Sequence, residues 1–217
     1  MVRHAQLLDS ATVGEHFRIL HDAERVIADP VVRNRGTVGG SLCQADPAED
    51  LSAALGALRA EVVIRGGRGA ERVVPVRELQ TGPYETVVGP AEIVTEIRLP
   101  LRPGAGSCYR KVERRAGDWA IASAGAIVWL DGDTITDVGI GLAAVGAAHS
   151  VAPATEDAVR GRSADEETIE LAGRTAGEEC SPTTDQRGPA DYKRALTAEL
   201  VRRVLRTAIA RSRGQEA

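Results

Sequence analysis

The most informative stretch of the sequence is RNRGTVGGSL, residues 33–42, which is followed closely by ADPAEDL, residues 45–51. Two adjacent glycines allow positive φ and remove side-chain bulk, so backbone amides there can approach a ligand closely. Thr37 and Ser41 place a hydroxyl on either side of them. The pattern predicts a glycine-rich turn, which is a common way to hold a phosphate group or a polar ring with backbone donors.

A helix is predicted to begin near Pro47, because proline suits the first turn of a helix. Its apolar face would consist of Leu51, Ala54, Leu55 and Leu58. Acidic residues lie at its electropositive start, namely Asp46, Glu49 and Asp50. By itself, a Gly-Gly pair before a helix is weak evidence for a ligand site, because most such pairs are only turns.

Length and composition describe a globular chain without nucleic-acid or membrane signals. The 217 residues can bury a sizeable core in one domain or two small ones. The net charge of −4 argues against nucleic-acid binding, and no basic cluster with interleaved aromatic residues contradicts it. No apolar run approaches the ~18 residues of a membrane span, and the first residues do not form a signal peptide. We therefore expect a cytoplasmic protein.

The sequence predicts no metal site. The three cysteines are far apart and lack the spacing of zinc or iron–sulfur ligands, so they are expected to be reduced, partly buried thiols: Cys43, Cys108 and Cys180. The four histidines are equally scattered: His4, His16, His21 and His149. His16 and His21 are five residues apart on one predicted helix, which is poor spacing for a shared metal ion.

The remaining pattern predicts a mixture of helices and strands. A helix is expected over residues 9–28 with a capping box at Thr12 and Glu15, followed by an extended segment over residues 31–35. Further helices are expected at 76–79, 155–160, 166–180 and 191–211, and strands at 61–65, 72–75, 92–99, 109–114, 120–130 and 134–143. Residues 100–107 are the best linker candidate. Because the elements occur in blocks without strict alternation, the predicted class is α+β.

The motifs taken together resemble a known family. The glycine-rich stretch, the ADPAEDL segment and EIVTEIRLP at residues 92–100 occur in order. In this combination they closely resemble the FAD-binding medium subunit of the molybdenum hydroxylases, the carbon monoxide dehydrogenase and xanthine dehydrogenase family. The resemblance extends from about His4 to the helix that ends near Arg211.

The resemblance implies which residues contact FAD. A flavin loop is matched by Thr37, Val38, Gly39, Gly40 and Ser41. Asp50 matches an aspartate that hydrogen-bonds the flavin, and Ile27 and Val94 match apolar residues that line its pocket.

Three further residues are matched less uniquely. One of Arg110 or Lys111 matches a cation beside the flavin, and the sequence leaves open which. Trp119 follows a loop near the ring, so it either stacks on the flavin or is a core tryptophan at the start of a strand.

The resemblance also implies a division of labour between subunits. A molybdenum cofactor in a separate large subunit would oxidise the substrate, and two iron–sulfur clusters of the 2Fe-2S type in a separate small subunit would pass the electrons to this FAD. The flavin would then reduce an external acceptor. This chain would therefore carry no catalytic acid or base, and the sequence identifies neither the substrate nor the acceptor.

One part of the family pattern has no match in this chain. Family members begin with a further FAD subdomain whose Ala-Gly-Gly-x-Ser loop grips the pyrophosphate. We therefore expect residues 1–102 to be the second part of a two-subdomain FAD-binding domain and residues 103–217 a small C-terminal domain with an antiparallel sheet and helices. The simplest hypothesis is that Met1 is an internal methionine of a longer protein. FAD binding is then expected to be weak, and a flavin-free docking or scaffold role is the alternative.

Overall fold

The computed structural model describes residues 1–147 and 150–215. The helices are His4–Leu8 (α1), Ala11–His16 (α2), Arg18–Glu24 (α3), Pro30–Arg33 (α4), Val38–Gln44 (α5), Asp50–Ala57 (α6), Val76–Leu79 (α7), Pro153–Val159 (α8), Glu166–Glu179 (α9) and Ala190–Ser212 (α10). The strands are Glu61–Arg65 (β1), Glu71–Pro75 (β2), Gln80–Gly82 (β3), Glu85–Thr86 (β4), Ile93–Arg98 (β5), Ala105–Val112 (β6), Ala122–Asp131 (β7) and Thr134–Ala143 (β8).

The strands form three antiparallel sheets. Their orders are β2-β1-β5, β3-β4 and β6-β7-β8. The hairpin between β7 and β8 turns at Gly132, whose φ is +57°. Since helices and antiparallel strands occur in separate blocks, the predicted α+β class is confirmed.

The prediction of a single helix over residues 9–28 is wrong. Two short helices occupy this segment, because Phe17 leaves the helical region with φ −134° and ψ 56°. Ser10, not Thr12, caps α2 through a hydrogen bond from the Val13 N–H (3.4 Å). The break allows Phe17 and Ile19 both to be buried, so tertiary packing overrides the local helical pattern.

The prediction that residues 31–35 are extended is also wrong. These residues begin as helix α4, because the Asp29 carboxylate accepts a hydrogen bond from the Val32 N–H (2.9 Å) and Pro30 occupies the first helical position. The predicted linker is shorter than expected, since β6 begins at Ala105.

The glycine-rich stretch folds into a helix and not into an open turn. Thr37 caps α5 by accepting a hydrogen bond from the Gly40 N–H (3.1 Å), and neither glycine of the pair has a positive φ. The helix ends at Ala45, which adopts the left-handed conformation with φ 51°. The next helix begins at Asp50, later than Pro47, because the Glu49 side chain accepts hydrogen bonds from the first turn of α6.

The β6-β7-β8 sheet is the centre of the molecule. One face is covered by α10 on β6 and β7, with α9 packed against α10. The other face is covered by α3 on β6 and by α6 on β7 and β8. The sheet therefore separates two hydrophobic clusters, and helices from the first half of the chain pack directly on strands from the second half.

Two glycines let α6 lie close to β8. A Cβ added at Gly139 would be 2.0 Å from the Ala57 carbonyl oxygen, and one added at Gly141 would be 1.9 Å from the Ala53 carbonyl oxygen. Both atoms belong to the backbone, which cannot swing aside as a side chain can. Close packing of this helix therefore requires glycine at both positions, and it fixes where the first residue of α6 lies relative to the sheet.

Asp137 on β8 joins three other segments. Arg59, just after α6, donates two hydrogen bonds to its carboxylate (2.6 Å each), and Arg102 from the β5–β6 connection donates another (2.7 Å). Arg160 lies 3.6 Å away, and the Arg102 guanidinium also stacks on Trp129 at 3.8 Å from the ring centroid. Burial acts to raise the pKa of Asp137, but the hydrogen bonds from Arg59 and Arg102 outweigh it and hold that pKa well below its usual range.

None of the helices in the described part of the chain is long and apolar enough to cross a bilayer. All three cysteines are free thiols, with Cys108 and Cys180 buried and Cys43 half-buried.

Gly141→Ala is expected to destabilise the fold by about 3 kcal/mol, because the new methyl group forces α6 away from β8. Urea denaturation monitored by circular dichroism measures the change. Gly14→Ala in α2 is the control, since a Cβ there meets no described atom within 4 Å beyond its chain neighbours and its own helix backbone, and alanine is the better helix former. Equal stability of the Gly141 variant and the wild type would show that the contact is not close in solution.

Asp137→Asn is expected to lower stability by about 2 kcal/mol at pH 7, because charged hydrogen bonds from two arginines are weakened. The folded-state pKa of Asp137 is lowered, so its contribution is full above about pH 4, the unfolded-state value, and is lost as the pH falls toward the folded-state pKa. The difference from wild type should therefore be smaller at pH 3 than at pH 7. Asp131→Asn, an exposed residue of the same hairpin, is the control.

Candidate functional site

A cleft of about 640 Å³ lies where the first half of the chain meets β6. Helix α5 forms one side, and the segment Ile27–Ala28 together with the loop Gly117–Trp119 forms another. The start of α6 and the end of β6 supply its floor through Asp50 and Lys111. The cleft thus depends on segments that are far apart in sequence.

Most of the residues predicted to contact a cofactor line this cleft. They are Ile27, Thr37, Gly40, Ser41, Asp50, Lys111 and Trp119. The other four lie elsewhere or beside it. Val38 is buried in the core, Gly39 is half-buried in the same helical turn, Val94 packs against the core from β5, and Arg110 is exposed on β6.

A buried ion pair forms the floor. The Lys111 ammonium lies 3.0 Å from Asp50 Oδ2, and the two side chains are 1% and 6% exposed. Lys111 also donates to the Asp118 carbonyl oxygen (3.1 Å) and lies 3.3 Å from Glu113 Oε2. Because these three acceptors surround the ammonium, Lys111 presents a fixed positive charge to the cleft.

The alternation of β6 separates the two candidate cations. Lys111 shares a face with Tyr109, which belongs to the cluster beneath α3 and α6, whereas Arg110 is one residue out of phase. Arg110 is exposed and lies on the opposite face of the strand, the face of Cys108, which belongs to the cluster beneath α10. Of the two, only Lys111 lies in the cleft.

Tyr109 and Ser123 support Asp50 from below, and neither was predicted from the sequence. The Tyr109 hydroxyl donates to Asp50 Oδ1 (2.6 Å), and it lies 2.7 Å from the Ser123 hydroxyl. Burial, with the Asp50 charge beside it, raises the pKa of Tyr109 well above its ordinary value, so the phenol stays protonated. Burial also raises the pKa of Asp50, while Lys111 and Tyr109 act in the opposite direction.

Glu49 ties the glycine-rich stretch to α6. Its Oε1 accepts hydrogen bonds from the Ser41 hydroxyl (2.7 Å) and the Leu51 N–H (2.8 Å), and its Oε2 accepts from the Ser52 N–H (2.7 Å) and hydroxyl (2.5 Å). Burial raises the pKa of Glu49, and these donors partly offset the effect. The carboxylate holds α5 and α6 in one arrangement, so this side of the cleft and its floor cannot move independently.

A buried histidine–glutamate pair was missed by the sequence analysis. His4, which lines the cleft, has Nδ1 3.0 Å from Glu24 Oε1. Burial lowers the pKa of His4, but the Glu24 carboxylate outweighs it, and the net effect raises that pKa. Burial raises the pKa of Glu24 more than His4 lowers it. No local sequence pattern marks this pair, because the two residues are on different helices.

The loop beside Trp119 is held by a close backbone contact. Gly117 has φ +80°, and a Cβ there would lie 2.8 Å from the Ala28 carbonyl oxygen. The same carbonyl accepts a hydrogen bond from Arg33 (3.2 Å). Trp119 stays 42% exposed at the rim of the cleft, so the prediction of a core tryptophan is wrong, and its ring is accessible to a planar ligand.

The site combines apolar walls with polar groups at one end. Ile27, Val32 and Trp119 offer surfaces for a flat aromatic body, and Thr37, Asp50 and Lys111 offer polar contacts for its edge. No group of three or more His, Cys, Asp or Glu side chains within residues 1–147 and 150–215 is placed to hold a metal ion, and His149 lies outside those ranges. The arrangement suits an organic ring with a polar rim.

Known sequence families match this chain over nearly its full length. The family described as the FAD binding domain in molybdopterin dehydrogenase matches residues 1–102. The CO dehydrogenase flavoprotein C-terminal domain matches residues 107–208. The chain belongs to the FAD-binding medium subunits of the molybdenum hydroxylase family.

Individual relatives agree with this assignment. The carbon monoxide dehydrogenase medium chain of Hydrogenophaga pseudoflava is 34% identical over 94% of this chain and 71% of its own length. The nicotine 6-hydroxylase medium subunit of Paenarthrobacter nicotinovorans is 36% identical over 98% of this chain and 74% of its own. A solved structure of the Hydrogenophaga pseudoflava carbon monoxide dehydrogenase superposes with a TM-score of 0.92 at 36% identity, covering 97% of this chain and 74% of that one.

These relatives confirm that the medium subunit described here is a flavoprotein subunit of an oxidoreductase. The chain spans about 71–74% of the length of the relatives it matches.

Lys111→Met is expected to destabilise this medium subunit by about 4 kcal/mol at pH 7, because it leaves buried carboxylates without a cation. The pKa of Asp50 should rise further, so the folded state of the variant holds a proton more tightly than the unfolded state. Its stability should therefore recover as the pH falls toward about 4, the unfolded-state pKa of aspartate. Denaturant titrations between pH 4 and 8 measure this.

Arg110→Met is the matched control, since it removes a neighbouring but exposed cation from the same strand. We expect a change of no more than about 0.5 kcal/mol at any of these pH values. Similar losses in both variants would contradict the placement of Lys111 in a buried ion pair.

Proposed function

We propose that this chain is the flavin electron-transfer subunit of a molybdenum hydroxylase and that it binds FAD in the cleft above Asp50 and Lys111. The observation that carries the proposal is the buried Asp50–Lys111 pair directly beside Thr37 and the first turn of α5. A fold does not need a charged pair in this position, because burying ions costs free energy unless they are fully paired. A polar ligand bound in the cleft would give the Asp50–Lys111 pair a function.

The residues of the cleft fit a flavin. Apart from its chain neighbours and the backbone of its own helix, no described atom lies within 4 Å of the Cβ position of Gly39, so the backbone of α5 can be approached closely there. The Asp50 carboxylate has about four acceptor sites, and the described residues occupy two of them through Tyr109 and Lys111. The remaining sites are available to hydroxyl or N–H donors of a cofactor.

Each group would have a separate task in holding FAD. Thr37, Gly39 and Gly40 would contact it from the start of α5. Ile27 and Trp119 would flank its ring, and Asp50 would accept hydrogen bonds from it. The fixed Lys111 charge would favour added negative charge on the ring. Bound FAD supplies the redox chemistry, since its ring accepts and releases electrons. The chain itself binds, orients and electrostatically tunes the cofactor, and it needs no acid or base for substrate chemistry.

The proposed partners follow from the names of the relatives. These proteins are called medium chains or medium subunits, which supports assembly with other subunits. We infer a large subunit with the molybdenum cofactor and a small 2Fe-2S subunit. The chain would receive electrons from the small subunit and pass them to an external acceptor. Residues 1–102 would then form part of the FAD-binding domain, and residues 103–217 the C-terminal domain.

FAD binding by this chain is proposed to be weak, because the sequence lacks a match to the family's first pyrophosphate-gripping loop. A titration by flavin fluorescence quenching, extended to millimolar FAD, tests the proposal. Saturable binding is the expected result. The absence of binding at any concentration would contradict the flavin function and favour the alternative of a flavin-free scaffold.

Gly39→Ala is expected to lower the affinity for FAD about tenfold, because a methyl group intrudes where the backbone meets the cofactor. The fold should tolerate the change, since the Cβ position is open and alanine favours the helix. The same titration measures the effect, with melting temperature as the check on folding. Gly14→Ala, the equivalent open glycine of α2, should leave the affinity unchanged. Equal affinities in both variants would place the cofactor elsewhere.

A further inference from the structure

Tyr109 does not line the cleft, yet it contacts the residue at its floor. The ring is 4% exposed and belongs to the hydrophobic cluster beneath α3 and α6. Its hydroxyl lies between Asp50 Oδ1 (2.6 Å) and the Ser123 hydroxyl (2.7 Å), and Ser123 is 1% exposed. A phenol so deeply buried has no access to a ligand, so any influence on the cleft must pass through Asp50.

The hydrogen bonds run in one direction. A phenol that remains protonated must donate its single O–H, and the ionised carboxylate can only accept. The Ser123 hydroxyl is then left to donate to the Tyr109 oxygen. Two hydroxyls therefore point toward one charge, and each strengthens the other's polarity. This series of hydrogen bonds, from Ser123 through Tyr109, ends at the Asp50 carboxylate, which faces the cleft.

Asp50 is held between opposite influences. Lys111 and Tyr109 favour its ionised form, and burial favours its protonated form. The other titratable groups around it come from several elements, namely Glu49 beside it, Glu24 of α3 with its partner His4, and Glu113 just after β6. The carboxylates in this set repel a charge on Asp50, whereas the hydrogen bonds that Tyr109 and Lys111 donate to it oppose protonation.

We propose that Tyr109, assisted by Ser123, is a positioning residue that fixes the rotamer and the ionised state of Asp50 for FAD. The inference rests on the proposed function, because it assigns a role toward the same cofactor. Without the phenol hydroxyl, the Asp50 carboxylate would keep its contact with Lys111 but lose the one that orients Oδ1, and it would take up a proton at a higher pH. A protonated carboxyl loses acceptor capacity, so the cofactor would be held less tightly at lower pH.

The test compares the wild-type chain with Tyr109→Phe, which keeps the packed ring and removes only the hydroxyl. FAD affinity is measured by fluorescence quenching from pH 5.5 to 8.5. The variant should bind about tenfold more weakly at pH 6 and approach the wild type at the alkaline end. Carbon-13 NMR of the Asp50 carboxyl, recorded without FAD, should show an upward shift of its pKa. Tyr192→Phe, at an exposed tyrosine of α10, is the control and should change neither quantity.

Asp50→Asn provides the second comparison. With no carboxylate left to ionise, adding Tyr109→Phe to this variant should cause no further pH dependence of FAD binding. A loss of affinity that is equal at all pH values, or an unchanged Asp50 titration, would overturn the proposal and leave Tyr109 a purely structural residue. Wild-type protein that binds no FAD at any pH would instead contradict the proposed function, whatever the NMR titration shows.

Discussion

The close packing of α6 on β8 is the constraint on which the rest of the structure depends. Gly139 and Gly141 allow helix carbonyl groups to approach the strand backbone, and no larger residue would fit there. Because a helix and a strand held this closely cannot slide, the first residue of α6 has one position relative to the neighbouring strands. That residue is Asp50, and its position next to Tyr109 and Lys111 creates the floor of the cleft.

The cleft also illustrates how a protein can keep charges inside a low-dielectric region. Asp50, Lys111 and Glu49 are all buried, and each one is held by several hydrogen-bonding partners. Such networks are stable only when nearly every member is satisfied, because an unpaired buried ion is very costly. The result is a rigid arrangement of dipoles and charges around the cleft. Fixed dipoles and charges of this kind are the means by which a protein orients a cofactor and tunes it electrostatically.

Much of the architecture could be predicted from the sequence. The strands β1, β5, β7 and β8 and the long helices α9 and α10 lie within a few residues of their predicted positions, because each has a clear periodic pattern. The prediction located the short helices α7 and α8 but failed at the short helices near the start of the chain. Segments such as α2, α3 and α4 are too brief for a periodic pattern to define, and side-chain caps and burial decide their limits. The prediction of a turn at the glycine-rich stretch failed for the same reason, because the side-chain cap at Thr37 makes this stretch begin a helix.

The sequence by itself determined the family, the α+β class and five of the residues that line the cleft, because ordered local motifs specify them: Ile27, Thr37, Gly40, Ser41 and Asp50. Only the tertiary structure decided which cation of β6 enters the cleft, and which buried groups support Asp50. The physical reason is that strand alternation and helix-on-sheet packing join residues that are distant in the chain. Tyr109 and Ser123 lie on neighbouring strands, and Asp50 lies on a helix from the other half of the chain. No local pattern relates them, and only the packing of α6 on the sheet brings them together.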